Sequence, residues 1–302
     1  MTQQLEATQS WFPISPGAKS LILSCLAFSL MTACVKQLSI SGIPTQETIL
    51  IRALISLILC GVTLRRLGIS PWGNNRFLLL LRGGTGILAL FCFFESIANL
   101  PLAAATVLRY TYPTFTALTA WLWLGEPLKK SIMAAISLGW LGITLVARPD
   151  WLSSGASSLT PWPVAIAVFG AFMAAVSFVT VRKASKNDHK VVIVLYFQAI
   201  SILFMLPFVI RDGIWPEPTQ WLLLVCVGGL TQLGQIWLTE GLGSIPAARA
   251  TAINYVQVLF SAVWAYLLLG EQLNSGMILG GLLVLGATLI SVSASDRNHQ
   301  TK

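Results

Sequence analysis

The sequence predicts an all-α membrane protein with ten transmembrane helices arranged as two inverted five-helix repeats. Three observations lead there. Of 302 residues, 55% are hydrophobic and 10% charged, against roughly a quarter charged in soluble domains, and the mean hydropathy is +0.76. Apolar runs of about span length recur along nearly the whole chain between short polar breaks. Finally, the chain matches itself when displaced by 145 residues.

A hydrocarbon core about 30 Å thick takes about 20 apolar residues per helix. The runs lie at 18–38, 45–64, 78–98, 102–123, 131–147, 162–181, 191–210, 219–239, 247–269 and 276–294. They are continuously apolar, whereas a barrel strand alternates apolar with polar residues, so helices are expected. The first run is too long for a signal-peptide core, and residues 1–17 carry no Lys or Arg, so it reads as an uncleaved span. This gives an N-terminal tail (1–17), a first repeat (18–149), a linker (150–161), a second repeat (162–294) and a C-terminal tail (295–302). With the N-terminus inside, twelve Lys and Arg residues fall on the cytoplasmic side, including Arg65, Arg66, Lys129, Lys130, Arg182 and Lys183. Only Lys36, Arg148 and Arg211 fall on the other. The positive-inside rule therefore predicts an inner- or plasma-membrane protein with both termini cytoplasmic. The net charge of +8 is scattered rather than gathered into a stripe, so nucleic acid is not an expected partner.

The displacement aligns 82–149 with 227–294 without a gap and with eighteen identities in 68 positions. Two unrelated apolar stretches would share hydrophobicity but not punctuation. Here Gly83 and Gly84 match Gly228 and Gly229, Glu95 matches Glu240, Pro101 matches Pro246, Tyr110 matches Tyr255, and Leu124-Gly125-Glu126 matches Leu269-Gly270-Glu271. Five spans per repeat is an odd number, so the second repeat enters the membrane from the opposite side. Inverted repeats are related by a pseudo-two-fold axis in the membrane plane and commonly build transporters with a midplane site between the halves.

Further residues carry a family resemblance: Lys36 ending span one, Glu47 to Arg52 opening span two, and Arg82, Gly83 and Gly86 opening span three. Pro101-Leu102-Ala103, Ala105, Tyr110 and Pro113 in span four, with the Leu-Gly-Glu that closes it, complete the set. On these the chain resembles the drug/metabolite transporter superfamily, in its EamA-type ten-span branch, over residues 20–295. The resemblance implies alternating access around a central cavity lined by spans one, three, four, six, eight and nine, with spans five and ten peripheral. It does not choose among amino acids, nucleotide-sugars, organic acids, nucleobases and drugs. One departure is informative: Arg109, Tyr112 and Pro113 are matched by Asn254, Gln257 and Val258. The site should therefore be lopsided, with its cation on one half.

Embedding an arginine in a bilayer costs roughly 3 kcal/mol or more, so Arg109 demands an explanation. Its planar guanidinium can grip a carboxylate or phosphate with two parallel hydrogen bonds; a carbonyl or an acid such as Glu95 would be a structural partner instead. Thr106, Arg109, Tyr110 and Pro113 follow helical spacing and share one face, and Thr251, Asn254, Tyr255 and Val258 repeat it in span nine. The two stripes are expected to face each other across a wet cavity, with Tyr112, Gln257, Gln232 and Gln235 as further candidate substrate contacts. The two span-eight glutamines, like Gln198 in span seven, serve equally well as interhelical glue. Pro113 is expected to kink span four. Lys36, Glu47, Arg52 and Glu95 read as gating or structural groups, with Glu47 and Arg52 too far around the helix to meet closely. Glu126 and Glu271 should cap the helix that follows each, Arg249 should reach the interface, and Gly276 with Gly280 should mark close helix packing. Trp121, Trp123 and Tyr266 near span ends suit interfacial anchoring. His189 reads as a loop residue.

No HExxH, GxSxG, Walker A or GxGxxG pattern occurs, and no histidine or aspartate lies within a span, so an intramembrane enzyme or an ATP-driven pump is disfavoured. No cofactor or metal is expected, and the five cysteines show no CxxC spacing. The expected activity is secondary transport of a small anionic or zwitterionic metabolite, an amino acid or organic acid, with the solute and the lipid bilayer as partners. Export of cationic or aromatic drug-like solutes is the alternative, ahead of a channel or a non-transporting membrane protein. Monomer and homodimer both remain open.

Overall fold

The computed structural model describes residues 15–99, 108–147, 161–269 and 275–293. Among these it holds eleven helices and no strand: α1 (Pro16–Ile40), α2 (Thr45–Leu67), α3 (Arg76–Asn99), α4 (Tyr112–Leu124), α5 (Lys130–Ala147), α6 (Pro161–Ala184), α7 (Lys190–Asp212), α8 (Pro218–Ser244), α9 (Ala247–Ile253), α10 (Val256–Leu269) and α11 (Ser275–Ser293). Helices α9 and α10 are two pieces of span nine, so the helices account for ten spans. Six of them are both long and apolar enough to cross a membrane whole: α1, α2, α3, α6, α7 and α8. Leu122, Leu203, Ile210 and Leu222 are each more than 60% exposed, as side chains facing lipid should be.

Local signals set the ends. Pro16 and Pro218 begin α1 and α8 at positions where no intrahelical N–H is needed. Gln220 and Glu217 form a reciprocal capping box on α8. His189 caps α7, its Nδ1 accepting from the Val191 N–H at 3.3 Å. Gly68 and Gly125 close α2 and α4 at φ of 64° and 66°, a left-handed conformation open to glycine without strain.

The two repeats do not form separate bundles. The heaviest packing is between halves: α1 on α8, α3 on α6, α5 on α11 and α2 on α7, with α3 on α7 balanced by α2 on α8 and α1 on α10 by α4 on α6. Displacement by 145 residues exchanges the members of each of these sets, which is the signature of a two-fold relation. Individual contacts obey it too. A Cβ added at Gly83 of α3 would run into Ile200 of α7, and one added at Gly228 of α8 would run into Ile55 of α2, the aligned pair. At Gly142 of α5 a Cβ would sit 2.7 Å from the Gly280 carbonyl of α11, so Gly280 does mark a close approach of helices.

Candidate solute-binding site

Spans four and nine are interrupted at aligned positions. Asn254 and Tyr255 form a turn between α9 and α10, and Tyr110 and Thr111 form one ahead of α4. Hydrogen bonds tighten to three-residue spacing there: Thr111 N–H donates to Leu108 O at 3.2 Å, Tyr255 N–H to Ala252 O at 3.3 Å and Gln257 N–H to Asn254 O at 3.1 Å. Pro113, expected to cause the kink, instead sits in the first turn of α4, where its missing N–H is no loss. Span nine breaks at the same place with Val258 in that position. The interruption therefore belongs to both repeats and not to the proline.

The breaks bring equivalent residues together. The Tyr255 hydroxyl donates to the Tyr110 carbonyl at 3.4 Å, and the two rings lie 6.0 Å apart. Residues related by the repeat can touch only near its axis, so the pseudo-dyad runs between these tyrosines. Tyr112 is buried, 6.0 Å from Tyr110 and 5.2 Å from Phe178 of α6, ring to ring. The span-nine stripe is covered, however, and does not face a wet cavity as expected. Asn254 Oδ1 accepts from Cys25 Sγ of α1 at 3.6 Å, Tyr255 is fully buried against Gly139 of α5, and Thr251 donates to Ala247 O at 3.0 Å. Gln257 is half-buried in the first turn of α10. Thr106 lies outside the described residues.

Arg109 is exposed, and its guanidinium stacks 4.0 Å from the Phe93 ring centroid of α3. Glu95 does not neutralise it; that carboxylate accepts from Asn99 Nδ2 at 2.9 Å. Arg52 of α2 is 8% exposed and 3.9 Å from Met31 Sδ of α1, which also accepts from Thr231 of α8. Its neighbour Glu47 is turned elsewhere and accepts from the Ile214 N–H at 3.0 Å. Arg82 of α3, which sequence reading left out of the site, is 4% exposed, lies 4.4 Å over the Phe197 ring of α7 and donates to Gln235 Oε1 at 3.2 Å. Among the described residues none of the three arginines is ion-paired, and Nε of Arg52 and of Arg82 has no hydrogen-bond partner. Their aligned counterparts are Phe197, Val227 and Asn254. All three cations thus belong to the first repeat.

The two glutamines of α8 part company. Gln235 faces Arg82, whereas Gln232 is locked to α2, its Oε1 accepting from Ser56 and its Nε2 lying 3.2 Å from Cys60 Sγ. Gln198 of α7 is fully buried with both amide atoms unpartnered. Lys36 is exposed on α1. A further cavity of about 420 Å³ opens between α2, α7 and α8, lined by Glu47, Trp215 and Trp221 among others.

At one end of the bundle an ion pair ties the two repeats together. There Arg182 at the end of α6 pairs with Glu126 at 3.1 Å and donates to the carbonyls of Leu242 and Gly243, while Glu126 accepts from the Ala247 N–H at 2.9 Å. Glu126 therefore caps α9 of the other repeat, not the helix that follows it in sequence, because the inverted halves place that N-terminus beside it. Glu271 lies outside the described residues. Lys190 pairs with Glu240 at 2.7 Å at the same end. Arg249, expected at the interface, is 5% exposed because α9 is packed among α4, α5 and α11.

Broken spans meeting on a pseudo-two-fold axis are the architecture of inverted-repeat membrane transporters. Comparison with known proteins narrows the class: the chain belongs to the EamA-like transporter family, whose model matches residues 15–148 and 161–293. The pseudopaline exporter of Pseudomonas aeruginosa strain PAO1 is 30% identical over 277 residues, covering 91% of this chain and 95% of its own. An uncharacterized transporter of Helicobacter pylori strain 26695 is 25% identical, covering 91% of this chain and 93% of its own. A solved crystal structure superposes with a TM-score of 0.80 at 16% identity, covering 93% of this chain and 98% of that one, and shares the fold.

Proposed function

We propose that this transporter moves a small anionic or zwitterionic metabolite, an amino acid or organic acid, by alternating access between its inverted halves. The observation that carries the reading is Arg109: a cation at span depth, exposed, resting on Phe93 and not ion-paired among the described residues. A guanidinium so placed supplies a forked donor for a carboxylate at small cost, because no internal acid must first be displaced. The basic end, with Arg65, Arg66, Arg182 and Lys183 on α2 and α6, is the cytoplasmic one on the positive-inside rule. On this reading the end tied by Glu126 and Arg182 is the closed one. Similarity to an exporter supports outward movement of the solute.

Counterflow in proteoliposomes with labelled amino acids, organic acids and organic cations tests the reading. Uptake of a carboxylate solute by the wild type should fall at least about tenfold in a folded Arg109→Ala, the scale expected for losing a charge-assisted pair. Uptake of cations alone, or equal carboxylate uptake by both proteins, overturns it. The second reading, a cationic or aromatic drug-like solute, is favoured by the Tyr110, Tyr112, Tyr255 and Phe178 rings and by the cavity that joins Glu47 to Trp215 and Trp221.

A further inference from the structure

At the end of the bundle opposite the Glu126–Arg182 pair, α2 and α8 begin and α7 ends, and the cavity of about 420 Å³ opens between them. Small-molecule pockets span roughly 300–1,000 Å³. Its walls include Glu47, Val209, Ile214, Trp215 and Trp221. Glu47 is 4% exposed in the first turn of α2. Its Oε2 accepts from the Ile214 N–H at 3.0 Å, one bond for a group that can accept about four. A buried carboxylate calls for a cation or a full set of donors, and among the described residues no Lys or Arg pairs with it. Arg211, at the end of α7, pairs with Asp212 instead. Two indole rings line the same cavity: those of Trp215 and Trp221 lie 5.8 Å apart, inclined at 63°. A carboxylate together with indole faces is the chemistry that recognises an alkylammonium group, the first as counter-charge and the second through cation–π attraction. The walls are also held in place. Gln220 Nε2 donates to the Ser41 carbonyl at 3.2 Å, tying the start of α8 to the turn before α2, and a Cβ at Gly213 would run into the Val209 carbonyl.

The repeat supplies the control. Displacement by 145 residues matches Gly213-Ile214-Trp215-Pro216 to Gly68-Ile69-Ser70-Pro71, so both halves carry the same Gly-Ile-x-Pro connection. The groups suited to a cation are not shared: Glu47, Trp215 and Trp221 are matched by Val192, Ser70 and Arg76. Joining these helices therefore requires neither an acid nor an indole. Holding the Ile214 N–H accounts for an acceptor at position 47 but not for a charge. Interfacial anchoring accounts for Trp215, which is 87% exposed, but not for a buried acid in the same cavity.

We propose that this cavity binds an alkylammonium group, with Glu47 as the counter-charge and Trp215 and Trp221 as the aromatic walls. On the positive-inside rule it lies at the outer face, where such a group is carried by a phospholipid headgroup or by an organic cation in solution. Apolar surface runs on from the cavity into the span. Leu206, one turn from Val209 on α7, and Val225, one turn from Trp221 on α8, are 42% and 53% exposed, a path for the acyl chains below a headgroup. The site is independent of Arg109 and holds whichever charge the transported solute carries.

The test titrates choline chloride by calorimetry into purified protein in phosphatidylglycerol nanodiscs, which contain no ammonium headgroup, with sodium chloride as the ionic-strength control. The variants are Glu47→Gln, Trp215→Ala, Trp215→Phe and Arg76→Gln, each first shown to be monodisperse and helical. Glu47→Gln keeps an acceptor for the Ile214 N–H and removes the charge. The wild type should bind choline saturably and Glu47→Gln at least about tenfold more weakly. Trp215→Ala should lose about two- to fivefold, with part restored in Trp215→Phe. Arg76→Gln, at the position matching Trp221, should bind as the wild type does. A second arm identifies the source: protein extracted from bilayers of equal phosphatidylethanolamine and phosphatidylglycerol is weighed by native mass spectrometry with its retained lipid. Enrichment of phosphatidylethanolamine on the wild type and not on Glu47→Gln makes the headgroup the ligand, and choline binding without that enrichment makes it a dissolved organic cation. Choline binding that Glu47→Gln leaves unchanged overturns the site, as does a wild type with neither choline binding nor a headgroup preference.

Discussion

Three arginines at span depth define the chemistry at the scale of residues, and they were unequally visible. Arg109 could be read directly, because a charge in the middle of an apolar run has few explanations. Arg82 carries the same signal, yet near the start of the run at 78–98 it reads in sequence only as a residue opening span three. The helix begins at Arg76, which sets Arg82 two turns inside. Gln232 and Gln235 were inseparable in sequence because they differ only in what the neighbouring helix offers: serine and cysteine to one, arginine to the other. Glu126 illustrates the same limit, since its capping role was legible but its partner helix was not. Its pair with Arg182 is about one-fifth exposed on each side, so solvent screens it only in part. Glu126→Gln keeps the side chain's size and loses the charge. In a background otherwise free of cysteine, thiol-reagent labelling of Ser185→Cys, which packs against Gly243, should accelerate several-fold when Glu126→Gln is added. Unchanged labelling would show that the pair does not hold that end closed.

Helix number, length and limits were legible to within a few residues because continuous apolar runs and proline or glycine punctuation leave little freedom. The interruption of span nine was not legible. Nothing in Ala247 to Leu269 breaks a helix by propensity, and the turn at Asn254 and Tyr255 is stabilised from outside, by Cys25 of α1, by the space above Gly139 of α5 and by the Tyr110 carbonyl. Span four was read through Pro113, which was the wrong cause for a real feature. A consequence follows for the element: Pro113→Ala supplies one N–H in a first turn that does not need it. Its transport rate should remain within about twofold of wild type and its thermal unfolding should shift by only a few degrees, as for a change of under about 1 kcal/mol. A collapse of transport with folding intact would return the break to the proline.

At the scale of the whole molecule the duplication was plain in the aligned glycines, prolines and glutamates. The way the halves interleave was hidden, since no single repeat shows which face meets its twin. That interleaving pairs α1 with α8 and α3 with α6 across the axis, so the symmetry governs the frame while Arg52, Arg82 and Arg109 stay in one half. The unloaded protein is consequently a charged body inside the membrane's own electric field. A charge carried across the full field is worth about 2.3 kcal/mol per 100 mV, and any conformational change that moves these helices along the membrane normal would carry the three arginines part of the way. Voltage steps applied to the solute-free protein on a solid-supported membrane should evoke a transient current. That current should shrink in Arg109→Gln and in Arg52→Gln, and a step response indifferent to both substitutions would show that these charges do not move. If those charges do move, the membrane potential acts on the solute-free protein as a spring, biasing one of its conformations before any solute has arrived.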